Sequence, residues 1–185
     1  MHNMQLNEFK NWQRIIFKDV NQEDSTSNED CSYLFKLVQD IKPKKILEIG
    51  TWIGKSTYAL ALAQDSTEVH TVDKHGIMDM WIEVPNKTHN IFRYNMHSSD
   101  FLKENKNIFD FIFVDGLLEP SDVKEIFNCT LNKFTIVFHD FYFEDLADKG
   151  NVNIFKFMEE CLNNNYYYKI DAVVGHCCAK LEIIK

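Results

Sequence analysis

The stretch Lys44-Lys45-Ile46-Leu47-Glu48-Ile49-Gly50-Thr51-Trp52-Ile53-Gly54-Lys55-Ser56-Thr57-Tyr58 limits the fold of this chain more than any other. Pro43 precedes a short apolar run that ends at Gly50, a second glycine follows at position 54, and Ala59, Leu60, Ala61, Leu62 and Ala63 continue in a helix-compatible run. The pattern predicts a buried strand, a tight turn and a helix. In an open α/β sheet ligands gather outside the carboxyl ends of the strands, so this turn decides much of what a site here can hold. Gly50 permits the sharp turn, and Gly54 is expected to let a ligand approach the backbone closely.

Two phosphate-binding loops come near this pattern. The dinucleotide fingerprint Gly-x-Gly-x-x-Gly fails because Trp52 and Lys55 stand where glycines belong. A Walker A loop needs four residues between its glycines, and only Thr51, Trp52 and Ile53 separate Gly50 from Gly54. Gly54-Lys55-Ser56 and the strand ending at Asp115 still keep a P-loop-like nucleotide hydrolase as an alternative function.

Acids argue against a polyphosphate. Glu48 lies two residues before the turn, and Asp73, Asp115 and Asp140 close the runs Val69–Asp73, Phe111–Asp115 and Thr135–Asp140. Two unit charges about 6 Å apart repel by roughly 3 kcal/mol at an effective dielectric near 20, so such an edge calls for a cation, protons or hydrogen-bond donors. S-adenosylmethionine, with a sulfonium and an ammonium, is a cation of the right kind.

Glu48-Ile49-Gly50-Thr51-Trp52-Ile53-Gly54-Lys55-Ser56-Thr57 resembles the first motif of class I S-adenosylmethionine-dependent methyltransferases. The similarity is to the branch containing catechol O-methyltransferase-like, macrocin O-methyltransferase-like and cephalosporin-hydroxylase-like enzymes, and it extends from about Ser27 to the C-terminus. It implies an α/β, Rossmann-like doubly wound sheet of seven strands, mostly parallel with an antiparallel C-terminal strand. The chain would then be one methyltransferase-like domain over residues 1–185, with 1–26 as an N-terminal helical extension. The implied cofactor contacts are Glu48, Gly50, Thr51, Trp52, Gly54, Ser56, Thr57, Asp73 and Asp115. Ser98, Ser99 and Asp100 are the matching candidates for adenine contacts. The implied reaction is O-methylation of a small hydroxylated acceptor or a sugar.

Asp73 also has a reading from spacing alone. It ends the second strand 23 residues after Gly50, and an acid about 20 residues past a glycine turn commonly accepts both ribose hydroxyls of a nucleoside.

With 185 residues, 45% of them hydrophobic, the chain can bury a sizeable core. A net charge of −8 disfavours a nucleic-acid partner, because phosphate contacts need a basic surface. No run approaches the roughly 18 apolar residues of a membrane span, and the polar stretch Met1–Lys10 is unlike a secretory signal, so no membrane partner and a cytoplasmic location are expected. Cys31, Cys129, Cys161, Cys177 and Cys178 are odd in number and lack metal-ligand spacing, which favours reduced, mostly buried thiols.

Along the chain, Leu6, Phe9, Trp12, Ile15 and Ile16 recur at helical spacing. That helix is expected to cover the core or a partner subunit, as in a homodimer. Residues 21–30 read as a polar loop in which Thr26 or Ser27 caps a helix carrying Leu34, Leu37, Val38 and Ile41. Residues 76–90 suggest a short helix and a loop, with Trp81 in a packing role. Further strands are expected at 90–95, 109–115 and 134–140, a helix from Pro120, and another marked by Ile154, Phe155, Met158, Cys161 and Leu162. Two closing strands, 166–174 and 179–184, join through Gly175-His176.

His139-Asp140 supplies the candidate catalytic pair, with His139 as general base and Asp140 orienting it or the acceptor. Phe141-Tyr142-Phe143 could wall an acceptor pocket or pack in the core. The resemblance places Asp115 and Asp140 where metal-dependent relatives hold Mg²⁺. This chain departs from those relatives at Gly116-Leu117-Leu118, and at His139 and Phe141, where relatives carry polar or acidic residues. Leu117-Leu118 keeps open a non-catalytic, methyltransferase-like binding protein.

Overall fold

The computed structural model describes residues 4–19, 25–74, 81–84, 89–141, 148–172 and 177–185. Seven strands form one sheet: β1 (Lys45–Ile49), β2 (Glu68–Asp73), β3 (Ile91–Asn95), β4 (Phe109–Val114), β5 (Thr130–His139), β6 (Tyr167–Ala172) and β7 (Cys178–Ile184). Their order is β3-β2-β1-β4-β5-β7-β6, and every neighbouring pair is parallel except those of β7, which runs antiparallel to both β5 and β6. The expected fold class is therefore observed. The chain winds outward from β1 to β3, then crosses back to β4. The crevice outside the carboxyl ends of β1 and β4 is thus the topological switch point where such sheets hold ligands.

Strand alternation sorts the core into two layers. On one face Ile46, Val69, Phe111, Phe113 and Val137 meet the helices α1 (Leu6–Ile16), α2 (Asn28–Ile41) and α3 (Lys55–Leu62). On the other, Leu47, Ile49, Val72, Ile112, Val114, Ile136 and Phe138 meet α4 (Ser98–Glu104), α5 (Pro120–Asn128) and α6 (Lys149–Asn164). Both faces of β1 and β4 are covered, which is why these strands read as near-continuous apolar runs.

The N-terminal helix lies on the first layer. Phe9 stacks on Phe35 with ring centroids 4.4 Å apart, and Trp12 meets the edge of Tyr58 at 5.6 Å. Ile15, expected on the apolar stripe, is 68% exposed; Gln13 is buried in its place, its amide donating to the Asn28 side chain. Ser27 is the N-cap of α2, accepting from the Asp30 N–H at 3.0 Å, which leaves Thr26 for another task.

Two boundaries differ from expectation. Strand β5 begins at Thr130, not 134, because β7 continues to Ile184 and pairs it with Lys133, giving polar residues ladder partners. Helix α6 buries Gly150, Asn153, Ile154, Phe157 and Cys161, while Phe155 and Leu162 face outward. The buried stripe is rotated because polar side chains in its first turns have buried partners, described below. Trp81 packs as expected, 5.1 Å from Tyr58. Met78, Met80 and Pro85 of the expected helix and loop, Tyr142 and Phe143 of the proposed wall, and the Gly175-His176 connection lie outside the described residues. Phe141 packs against the second core layer. All five cysteines are free. Among the described residues, no helix is long and apolar enough to cross a membrane.

Candidate active site

The turn after β1 is built from three left-handed positions: Gly50 at φ +98°, Trp52 at +50° and Gly54 at +84°. Gly50 is required by proximity as well as by angle, since a Cβ there would stand 3.0 Å from the Asp115 backbone, where the ends of β1 and β4 converge. Asp73, at the end of β2, fixes the turn: its Oδ2 accepts the Thr51 and Trp52 backbone N–H groups, both at 2.9 Å. One carboxylate thus satisfies two donors that no strand or helix partner reaches.

Two adjoining cavities open over this turn. The first, of about 450 Å³, is bordered by Ser25, Thr26, Thr51, Trp52, Ser56 and Asp115, together with Lys55 and Lys149. The second, of about 280 Å³, reaches His97, Ser98, Ser99 and Asp122. Gly50, Asp73, Lys74, Gly116 and Leu117 border both. The structure therefore brings Gly50, Thr51, Trp52, Ser56, Asp73, Ser98, Ser99 and Asp115 together around two cavities that share a border.

Four expected contacts lie elsewhere. Glu48 is fully buried and borders neither cavity. Its oxygens accept from the Ser56 hydroxyl at 2.6 Å and the Thr57 hydroxyl at 2.5 Å, so it anchors the start of α3 from beneath. Burial pushes its pKa up to about 7, against the pull of the hydroxyl hydrogen bonds. Thr57 is correspondingly buried under the turn. What approaches Gly54 is the Trp81 ring, 2.3 Å from where a Cβ would stand. Asp100 is exposed in the first turn of α4 and borders neither cavity. The Ser98 and Ser99 hydroxyls, though beside the second cavity, donate to Asp122 at 3.3 and 2.5 Å and so tie α4 to α5.

The Glu48–Ser56 bond also removes the P-loop reading. A Walker A serine presents its hydroxyl to Mg²⁺. Here that hydroxyl is turned into the protein toward an acid.

At the other end of the first cavity lies a charge cluster. Asp115 Oδ2 accepts from the Thr26 hydroxyl at 3.2 Å, and Oδ1 lies 3.0 Å from His139 Nδ1 and 2.9 Å from Lys149 Nζ. Asp140, at φ +54°, turns its Oδ1 to within 3.1 Å of the same imidazole nitrogen and its Oδ2 to 2.8 Å from Lys149. On its other side, His139 Nε2 is 3.6 Å from Asp30 Oδ2. Carboxylates can only accept, so Nδ1 is the donor in these contacts. Burial by itself would lower the His139 pKa, but hydrogen bonds to Asp115 and Asp30 outweigh it and raise the pKa to about 10. Burial would likewise raise the Asp115 pKa, and His139 and Lys149 instead hold it below the usual carboxylate range. The raised pKa favours an imidazolium among acids at neutral pH over the expected resting general base.

Asp115, His139 and Asp140 offer ligand atoms within 4.8 Å of one another, the spacing of a metal site. They do not fit Mg²⁺. The imidazole Nδ1 carries a proton, and the position between the two carboxylates is taken by an ammonium.

Asp30 and Lys149 escaped the sequence reading. Lys149, Asn153 and Lys156 occupy successive turns of one face of α6, and all three reach the loop after β4. Lys149 donates to the Asp115 carbonyl at 3.0 Å, Asn153 donates to the Gly116 carbonyl at 2.8 Å and accepts from the Leu118 N–H at 3.0 Å, and Lys156 donates to the Leu118 carbonyl. The 149/153/156 spacing was the available signal.

Comparison with known proteins agrees with this architecture. The profile of a family described as a methyltransferase domain matches residues 47–141, just over half of the chain. Among solved structures, an O-methyltransferase from Bacillus cereus in complex with S-adenosylhomocysteine (SAH) is similar at a TM-score of 0.72 and 21% identity, covering 97% of this chain and 90% of that one. An SAH-bound methyltransferase from Podospora anserina gives 0.67 at 19% identity, with 99% and 89% covered. The O-methyltransferase TomG from Streptomyces achromogenes, involved in tomaymycin synthesis and in complex with SAM, gives 0.68 at 17% identity, with 100% and 91% covered. No curated protein matches by sequence.

Proposed function

Since this chain belongs to the methyltransferase-domain family, we propose that it transfers a methyl group from S-adenosylmethionine to a hydroxyl of a small acceptor. The observation that carries this reading is Asp73, held by two backbone N–H groups at the edge of both cavities, where a carboxylate matches the two hydroxyls of a nucleoside ribose. The SAH and SAM held by the similar folds support the donor, and the two described as O-methyltransferases support an oxygen acceptor.

S-adenosylmethionine, when bound, would supply an electrophilic methyl on a sulfonium, open to in-line attack by the acceptor oxygen with S-adenosylhomocysteine as the leaving group. Residues of this chain have two tasks. The Gly50 turn, Asp73 and the Ser98–Ser99 end of α4 hold the nucleoside, and positioning of this kind supplies on the order of 7–11 kcal/mol. Of the Asp115, His139, Asp140 and Lys149 cluster, Asp115 and Lys149 border the first cavity, where the ammonium stabilises an acceptor oxygen losing its proton.

The test is thermal unfolding of the EDTA-treated protein with SAH and, separately, with ATP and Mg²⁺. A ligand at 100 times its Kd adds about 2.7 kcal/mol, raising the midpoint by roughly 5–10 °C in a domain of this size. A shift with SAH, lost in Asp73→Ala, is expected; a shift with ATP alone would overturn the reading. Screening hydroxylated acceptors for methyl uptake from labelled donor then separates an enzyme from a protein that only binds SAM.

A further inference from the structure

The acidic end of the first cavity already contains its cation. Lys149 Nζ has three N–H donors and three oxygen partners: Asp115 Oδ1 at 2.9 Å, the Asp115 carbonyl at 3.0 Å and Asp140 Oδ2 at 2.8 Å. It bridges the carboxylates that follow two adjacent parallel strands.

Nothing about helix α6 by itself favours a lysine here. Lys149 is its first residue, where the positive end of the macrodipole disfavours a cation, and its first turn carries no acid of its own. A local preference broken in this way points to a task beyond helix formation. The next residue shows how the lysine is delivered. Gly150 lies so close to the end of β5 that a Cβ would stand 2.3 Å from the His139 carbonyl and 2.6 Å from that of Asp140, so only glycine lets the helix start directly against the strand end. Asn153 and Lys156, by binding the Gly116–Leu118 backbone, hold the same helix face against the β4 loop.

We propose that Lys149 is the resident cation of this site, a positioning residue whose tethered ammonium sets and neutralises the Asp115–Asp140 pair in place of a divalent ion, so that methyl transfer here proceeds without a metal. This rests on the methyltransferase reading. It accounts together for the hydrophobic Gly116-Leu117-Leu118 and for Phe141, which supply no side-chain ligand for a metal shell, and for a histidine whose Nδ1 is spent on the same two acids.

The experiment is direct titration of the EDTA-treated full chain with Mn²⁺, followed by electron paramagnetic resonance, for wild type, Lys149→Ala and Lys149→Arg. SAH-induced stabilisation is measured on the same samples. Wild type and Lys149→Arg are expected not to bind Mn²⁺ up to about 1 mM, whereas Lys149→Ala, whose two carboxylates keep only the His139 imidazolium between them, gains binding at least about tenfold tighter. A lysine serving only to stabilise the fold would not produce that gain. Micromolar Mn²⁺ binding by wild type overturns the proposal whether or not the alanine variant folds, as does absence of binding by a folded Lys149→Ala. Loss of SAH stabilisation in wild type would instead remove the methyltransferase reading, leaving the Mn²⁺ result to stand alone.

Discussion

Gly54 and Trp81 are in contact so close that the glycine's missing side chain is a structural element: a Cβ at Gly54 would stand 2.3 Å from the Trp81 ring. The ring is held in turn by Tyr58, whose hydroxyl donates to the Ile82 carbonyl at 2.9 Å and accepts from the Val84 N–H at 3.1 Å. Gly54→Ala must therefore displace a packed aromatic and adopt φ +84° with a side chain. A loss of about 2–4 kcal/mol is expected, the sum of overpacking and left-handed strain. In the Trp81→Ala background the same substitution should cost about 1 kcal/mol, the backbone part alone. Denaturant unfolding of the four proteins measures the difference, and equal costs in both backgrounds would show that the ring is not what Gly54 accommodates.

Glu48 makes stability depend on pH. Its pKa in the folded state, about 7, lies above the ordinary 4.5, so the folded chain holds a proton that the unfolded chain releases. Its contribution is fully present below about pH 4.5 and is lost as pH rises through about 7, an effect of about 3 kcal/mol. Glu48→Gln keeps the shape and cannot ionise, and the Ser56 and Thr57 hydroxyls can rotate to accept from its amide. The variant is expected to lose the wild-type decline between pH 4.5 and 6.5, below the onset of the His139 effect. Parallel curves across that window would mean that Glu48 does not titrate there.

The same residue shows where sequence reading succeeds and where it stops. The strand and the glycine turn were legible because apolar runs and φ-permissive residues are local signals. The acids closing β2 and β4 were legible because strand ends converge on one crevice. Glu48 was misplaced because strand parity was not carried through: it shares a face with Ile46, which packs toward α1 to α3, so its carboxylate enters the first turn of α3 rather than the crevice. Asp30 and Lys149 were illegible for a different reason. Asp30 reaches the cluster from a helix far away in the chain and Lys149 from the helix after β5, 34 residues past Asp115, and only the layering of α2 and α6 over the ends of β4 and β5 brings them to His139 and Asp115.

Asp122 joins two helix starts that border the second cavity. It is buried in the first turn of α5, accepts from the Glu119 N–H at 3.2 Å, and takes the hydroxyls of both Ser98 and Ser99. Asp122→Ala leaves those hydroxyls without their acceptor and frees the start of α4. About 1–3 kcal/mol of stability should be lost, with SAH affinity falling roughly tenfold. Calorimetric titration with SAH measures this. Ser99→Ala alone should give a smaller loss, and unchanged affinity in a folded Asp122→Ala would show that the α4 start does not help to hold the nucleoside.

His139 should leave the opposite pH signature to that of a neutral base. Its folded-state pKa is raised to about 10 from the ordinary 6.5 by hydrogen bonds and charge from Asp115, Asp30 and Asp140, which outweigh burial. The sign follows from which state binds the proton: the contribution is fully present below about pH 6.5 and is lost as pH climbs through about 10. His139→Gln keeps a donor near the acids but removes the charge. It is expected to cost about 3–5 kcal/mol at pH 6, the range for breaking a buried ion pair from one side. The gap to wild type should close steadily toward pH 10, where about half of the wild-type imidazole is also neutral. Unfolding midpoints of the two proteins between pH 6 and 10 test this, with Lys149 present in both as a common background. A gap that stays constant over that range would mean that His139 is neutral in the folded protein, returning it to the role of general base.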